Sequence, residues 1–176
     1  MRGNAILITE DPRGRFKEGV VDGTPKPGSI MQLLAGTSVD DNGHHTWGVY
    51  DRSADGDNPA GPLAVLLEKG EGVAPFTITG SSGSRTRTND GGSAFEAGDL
   101  CRLYCPLPGD ELNVLWATSG TSTGDALTVG QIGMPEDGTG LIIDTTGVEC
   151  EPVIAMEALS DTVAAGTLTW VMFAGQ

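Results

Sequence analysis

Apolar residues in this chain come only in short runs, and nearly every run is closed by Gly, Pro, Asp or Asn. A chain punctuated this often has no room for long helices, because an amphipathic helix needs an apolar stripe sustained over about 12 residues. The best such window, 152–163, offers Ile154, Met156 and Leu159 for a turn or two before Gly and Thr end it. The punctuation comes from 27 Gly and 10 Pro among 176 residues, and the glycines follow no G-X-Y period. The spacing therefore predicts strands at 29–35, 46–50, 63–68, 76–79, 100–105, 112–117, 126–129, 141–144, 153–157 and 168–173. Period-two alternation supports several of them, with Cys101, Leu103 and Cys105 on one face against Leu100, Arg102 and Tyr104 on the other. The expected fold is all-β, with at most short helices: a sandwich or barrel-like body of one domain. A shared rhythm of a Gly turn followed by a half-apolar strand at 109–114, 124–129 and 166–171 is too short to define a repeat.

Charge divides the chain further. Residues 1–29 carry five basic and four acidic groups, whereas residues 30–176 carry five basic and twenty acidic groups, in a chain of net charge −14. The first segment has one β-prone tetrad, Ala5-Ile6-Leu7-Ile8. It then runs through Asp11-Pro12-Arg13-Gly14 to Thr24-Pro25-Lys26-Pro27-Gly28, where the prolines forbid helix. Residues 1–27 are read as an extended arm on a β-rich body spanning 28–176. Residues 80–93 and 118–125 hold almost no large apolar side chain and are read as long exposed loops.

The acidic field disfavours nucleic acid, since like charge repels the phosphate backbone. No apolar run reaches the roughly 18–20 residues of a membrane-spanning helix, and the start lacks a charged-then-apolar leader, so a soluble chain without membrane partners is expected. Cys101, Cys105 and Cys150 are an odd set for a disulfide framework and are read as buried thiols, with a link from Cys150 to either of the others left open.

Catalytic and metal patterns fare poorly. His44 and His45 are adjacent, so on a strand they point to opposite faces and do not serve one nucleophile. The spacing of Cys101 and Cys105 does not suit a zinc knuckle. Asp51, Asp55 and Asp57 cluster around a glycine but lack the closing Glu and spacing of a calcium loop. No phosphate-binding glycine loop is present. No catalytic, cofactor or metal residues are therefore assigned, and a non-enzymatic protein is expected. Trp47, Trp116 and Trp170 lie in apolar strand sequence and read first as core.

A set of phrases in fixed order carries a further expectation. They are Lys26-Pro27-Gly28-Ser29-Ile30-Met31-Gln32, His45-Thr46-Trp47-Gly48-Val49-Tyr50, Asp55-Gly56-Asp57-Asn58-Pro59 and Leu63-Ala64-Val65-Leu66-Leu67-Glu68. Pro106-Leu107-Pro108-Gly109-Asp110-Glu111-Leu112-Asn113-Val114 and Gly124-Asp125-Ala126-Leu127-Thr128-Val129 follow, then Ala155-Met156-Glu157-Ala158-Leu159 and Leu168-Thr169-Trp170-Val171. Together they resemble the head decoration, or capsid cement, proteins of tailed bacteriophages. The resemblance implies a β-rich virion protein on the outer capsid surface, without cofactor, bound as homotrimers that bridge copies of the major capsid protein and stabilise the expanded shell. It implies that the arm contacts the capsid, Ile6, Leu7 and Ile8 by strand addition and Arg13, Arg15 and Lys17 by meeting acidic groups. Trp47 and Tyr50 are candidates for the contact between copies, with core packing as the alternative. Residues 80–93 match nothing in that family. Competing readings are another virion part, a tail, baseplate or head-fibre module with glycan-binding loops, or a cellular calcium-dependent or lectin-like sandwich.

Overall fold

The computed structural model describes residues 15–34, 43–51, 63–67, 77–79, 84–86, 94–117, 127–144, 153–159 and 166–174, those at 77–79 and 84–86 through their backbone. The chain is all-β, with no helix among the described residues. Strands β1 (Phe16–Val21), β2 (Ile30–Leu33), β3 (His45–Val49) and β4 (Leu63–Leu66) form a first closed barrel with β7 (Leu100–Tyr104). β5 (Thr77–Thr79) and β6 (Ser84–Thr86) make a separate hairpin between β4 and β7. A second closed barrel follows, from β8 (Glu111–Ala117), β9 (Ile132–Pro135), β10 (Ile142–Asp144), β11 (Val153–Ala155) and β12 (Thr167–Phe173). Closure leaves neither barrel with an open sheet edge.

The two barrels are built alike. In each, the first strand pairs in parallel with the third, and all other pairings are antiparallel in the same cyclic order. The registers match residue for residue. Ile30, Val65, Tyr104 and Phe16 form one cross-strand row, and Ile132, Ile154, Met172 and Glu111 form its counterpart. The turn entering the second strand is duplicated as well. Gly28 and Gly130 have φ of 89° and 86°, and their N–H groups donate to Leu66 O at 2.7 Å and Ala155 O at 2.8 Å. Glycine adopts that left-handed conformation without steric cost. The chain is thus a duplicated five-strand unit, a repeat visible in topology and register where the sequence rhythm had been too brief to show it.

Burial explains the strand sequences. β4 carries Leu63, Ala64, Val65 and Leu66 without alternation because both its faces are covered. Ala64 and Leu66 fill the first barrel with Val21, Met31, Trp47 and Leu103. Leu63 and Val65 face outward, with Ile30, Tyr50 and Tyr104, into a cluster shared with the second barrel's interior of Leu112, Val114, Trp116, Val171 and Phe173. Backbone bonds stitch the same seam: Leu115 N donates to Gly28 O at 2.9 Å, Ile30 N to Gly140 O at 2.8 Å and Gly138 N to Tyr50 O at 2.7 Å.

Three expectations change. The segment 16–27 belongs to the body, since β1 pairs with β3 and β7, and Phe95 N donates to Pro25 O at 2.8 Å. Only residues 1–14 of the expected arm lie outside the described residues. Within 80–93, Ser84–Thr86 pairs with Thr77–Thr79; 118–125 lies outside the described residues. The strand expected at 126–129 is reduced to a single bridge between Leu127 and Leu159.

Candidate interaction surfaces

The residues expected to grip a partner separate into three groups. Ile6, Leu7, Ile8 and Arg13 lie outside the described residues. Arg15 stands just ahead of β1, where its guanidinium forms an ion pair with Asp110 and donates to Tyr104 Oη at 3.0 Å. It is thereby held inside the molecule and is not presented to a partner. Lys17, two residues on, is exposed. Trp47 and Tyr50 are 4% and 2% exposed, Trp47 inside the first barrel and Tyr50 at the seam, so both are core residues and not contacts between copies.

The Arg15 cluster locks the turn joining the barrels. Asp110 also accepts from Tyr104 Oη at 3.0 Å and from Leu107 N at 2.8 Å. Burial pushes the Asp110 carboxyl up, but the bonds from Arg15, Leu107 and Tyr104 outweigh it and hold the group below its ordinary range. Phe16 meets the Tyr104 ring edge-on at 5.4 Å. The cluster is a structural clamp, since the Asp110 carboxylate ties the segment ahead of β1, the end of β7 and the turn at Leu107 together.

Cys101 is also internal. Its thiol is buried and pushed up to about 12 by desolvation. Native alkylation at pH 8 is therefore expected to leave Cys101 unmodified, and denaturation to expose it. Peptide mass spectrometry after iodoacetamide treatment, with and without guanidinium, checks this; prompt native labelling of Cys101 contradicts it. Among the described residues no group of three or more His, Cys, Asp or Glu is placed to hold a metal, and no helix is long and apolar enough to cross a membrane.

The outer surface of the second barrel differs from that of the first. Its row of Ile132, Ile154 and Met172 points outward, Ile132 at 38% exposure, with Val129 at 64% on the adjoining turn. Trp170 lies one row away; its Nε1 donates to Glu111 at 3.2 Å, and its backbone N–H donates to the Glu157 carboxylate at 2.9 Å. The counterpart row on the first barrel is covered: Ile30 is 1% exposed, Val65 and Tyr104 0%. Leu100, at 59%, is the largest exposed apolar side chain on the first barrel's own strands.

Charge follows the same division. All ten Lys and Arg residues lie at or before Arg102, and both His precede it, whereas residues 103–176 contain ten Asp and Glu with no basic residue at all. Dividing the sequence near residue 29 misses this larger asymmetry, which a running count of basic residues would have revealed. The apolar row was missed because β9, Ile132-Gly133-Met134-Pro135, reads as a turn.

No protein-family model and no curated protein matches the chain.

Proposed function

We propose that this chain is a structural virion protein that binds the outside of an icosahedral phage capsid as trimers, bridging copies of the major capsid protein and stabilising the expanded shell. The observation that carries the reading is the ordered set of phrases, from Lys26-Pro27-Gly28 to Leu168-Thr169-Trp170-Val171, that resembles head decoration proteins. Physical features agree with such a role. Closed barrels resist edge-to-edge aggregation at the high local concentration of a decorated shell. A net charge of −14 suits a surface that faces solvent and not packaged DNA. Residues 1–14, with Ile6, Leu7, Ile8 and Arg13, remain the proposed capsid-contacting segment, acting by strand addition to a coat-protein sheet.

Antibody labelling of intact particles in negative stain tests the reading. Label distributed over the whole head is expected; label confined to the tail or baseplate contradicts it. Truncation refines the test. Deleting 1–14 is expected to preserve the melting transition while abolishing capsid binding. Deleting 1–27 removes β1 and opens the first barrel, so a loss of the cooperative transition is expected there. Full decoration by the shorter truncation contradicts the arm's role.

A further inference from the structure

We propose that copies of this chain associate head to tail, the outer face of the second barrel in one copy docking on the first barrel of the next. The duplication supplies the argument. Within one chain, the row Ile30–Val65–Tyr104 of the first barrel is buried in the cluster shared with the second barrel. Its counterpart, Ile132–Ile154–Met172, has the same register in a barrel of the same topology, yet among the described residues it is less covered, with Ile132 exposed and Ile154 and Met172 half-buried. One barrel's docking face is fully buried within the chain, and its duplicate is only partly covered among the described residues.

The receiving surface is duplicated too. At the seam, Gly28 approaches so closely that a Cβ there would lie 2.7 Å from Leu168 Cδ2 and 3.4 Å from Leu115 Cγ. Leu168 and Leu115 face each other across β12 and β8, as Leu100 and Val20 do across β7 and β1. By register, Gly130 corresponds to Gly28, and Leu100 and Val20 correspond to Leu168 and Leu115. Exposed Val129 and Ile132, beside Gly130, are thus the open donor half of the contact. Exposed Leu100 is the open acceptor half. Repeating the contact between chains covers three large apolar side chains that otherwise face water. β3 runs two residues further along β1 than β10 does along β8, so side chains and not the Leu115–Gly28 backbone bond would carry the contact between copies.

Charge selects the same arrangement. A two-fold contact between second barrels would set ten carboxylates with no basic residue against ten more, whereas the head-to-tail contact sets them against the part of the chain that holds all ten Lys and Arg beside fourteen Asp and Glu, so the repulsion is weaker and local ion pairs become available. A heterologous contact of this kind closes into a ring when its rotation permits, which a trimer requires. The inference rests on the functional reading only in that copies of the chain assemble; it involves no shell.

Sedimentation velocity on purified protein without capsids tests it. A donor variant carries Val129→Asp and Ile132→Asp; an acceptor variant carries Leu100→Asp. Circular dichroism and thermal melts establish that both remain folded, as their exposed positions require. The wild type is expected to associate, and each variant alone to sediment as an 18.1 kDa monomer. An equimolar mixture is expected to form a 1:1 dimer that grows no further, because it holds one intact donor and one intact acceptor. A monomeric wild type at every soluble concentration, a variant that associates unaided, or a mixture that stays monomeric overturns the proposal. Should the dimer form while the protein ignores capsids, the head-to-tail contact stands and the decoration reading falls.

Discussion

Gly133→Ala is expected to destabilise the protein by about 3 kcal/mol, at the upper end of overpacking costs. A Cβ at that position would lie 2.4 Å from Trp116 Cη2 and 2.5 Å from Ile142 Cγ2. Neither neighbour is a flexible end, since Trp116 and Ile142 are both fully buried and the indole is rigid. The backbone of β9 must therefore move away from β10 and β11, which it bridges. For a chain of this size, 3 kcal/mol corresponds to a fall in Tm of roughly 6–12 °C. The cause is specific enough to be reversed. Trp116→Leu alone leaves a cavity and costs several kcal/mol, but in the Gly133→Ala background it removes the clash, so the double variant should be more stable than the sum of the two effects implies. Strict additivity in chemical denaturation would contradict the contact.

Asp110→Ala is expected to cost about 3–5 kcal/mol, the range for removing one partner of a buried ion pair. It takes the Asp110 carboxylate away from the Arg15 guanidinium, which is 16% exposed, and from Tyr104 Oη and Leu107 N, which donate to it. Because the turn it anchors joins the barrels, and Phe173 N donates to Asp110 O at 3.0 Å, the loss should loosen the end of β12 first. Hydrogen exchange would detect this as reduced protection at Phe173. The effect depends on pH with a definite sign. The folded carboxyl titrates below its unfolded value of about 3.9, so its contribution is complete above that pH and is lost as pH falls through the lowered folded value. The stability gap between wild type and Asp110→Asn should be flat from pH 5 to 7 and shrink in more acidic solution. A gap that widens toward acid would contradict the assignment.

The all-β class was legible because Gly and Pro interrupt every apolar run, and nine of the ten expected strands are present within a residue or two at their ends. Two of the three strands that escaped share a physical reason. β1 and β9 each place a glycine against a tryptophan of a neighbouring strand: a Cβ at Gly19 would lie 2.4 Å from Trp47 Cδ1, as one at Gly133 would from Trp116. Close approach demanded glycine, and glycine in sequence reads as a turn. β6, Ser84-Arg85-Thr86, has no apolar residue to announce it. Arg15 looked like a free cation because its partner Asp110 is 95 residues away. Trp47 and Tyr50 lie in the core, the first reading of their sequence, but only the closure of the first barrel decides that one faces inward and the other toward the seam. The duplication was hidden because side chains at matching positions differ: Tyr104 and Phe16 in the first barrel correspond to Met172 and Glu111 in the second.

Co-sedimentation with capsids bears most directly on the proposed role. Purified protein is mixed with expanded and with unexpanded phage shells, and bound protein is counted against coat subunits. The account predicts saturable binding to expanded shells, at a fixed ratio to coat subunits, with little binding to unexpanded ones and a raised melting temperature of the decorated shell. Absence of binding to expanded shells, with the protein folded, would contradict it.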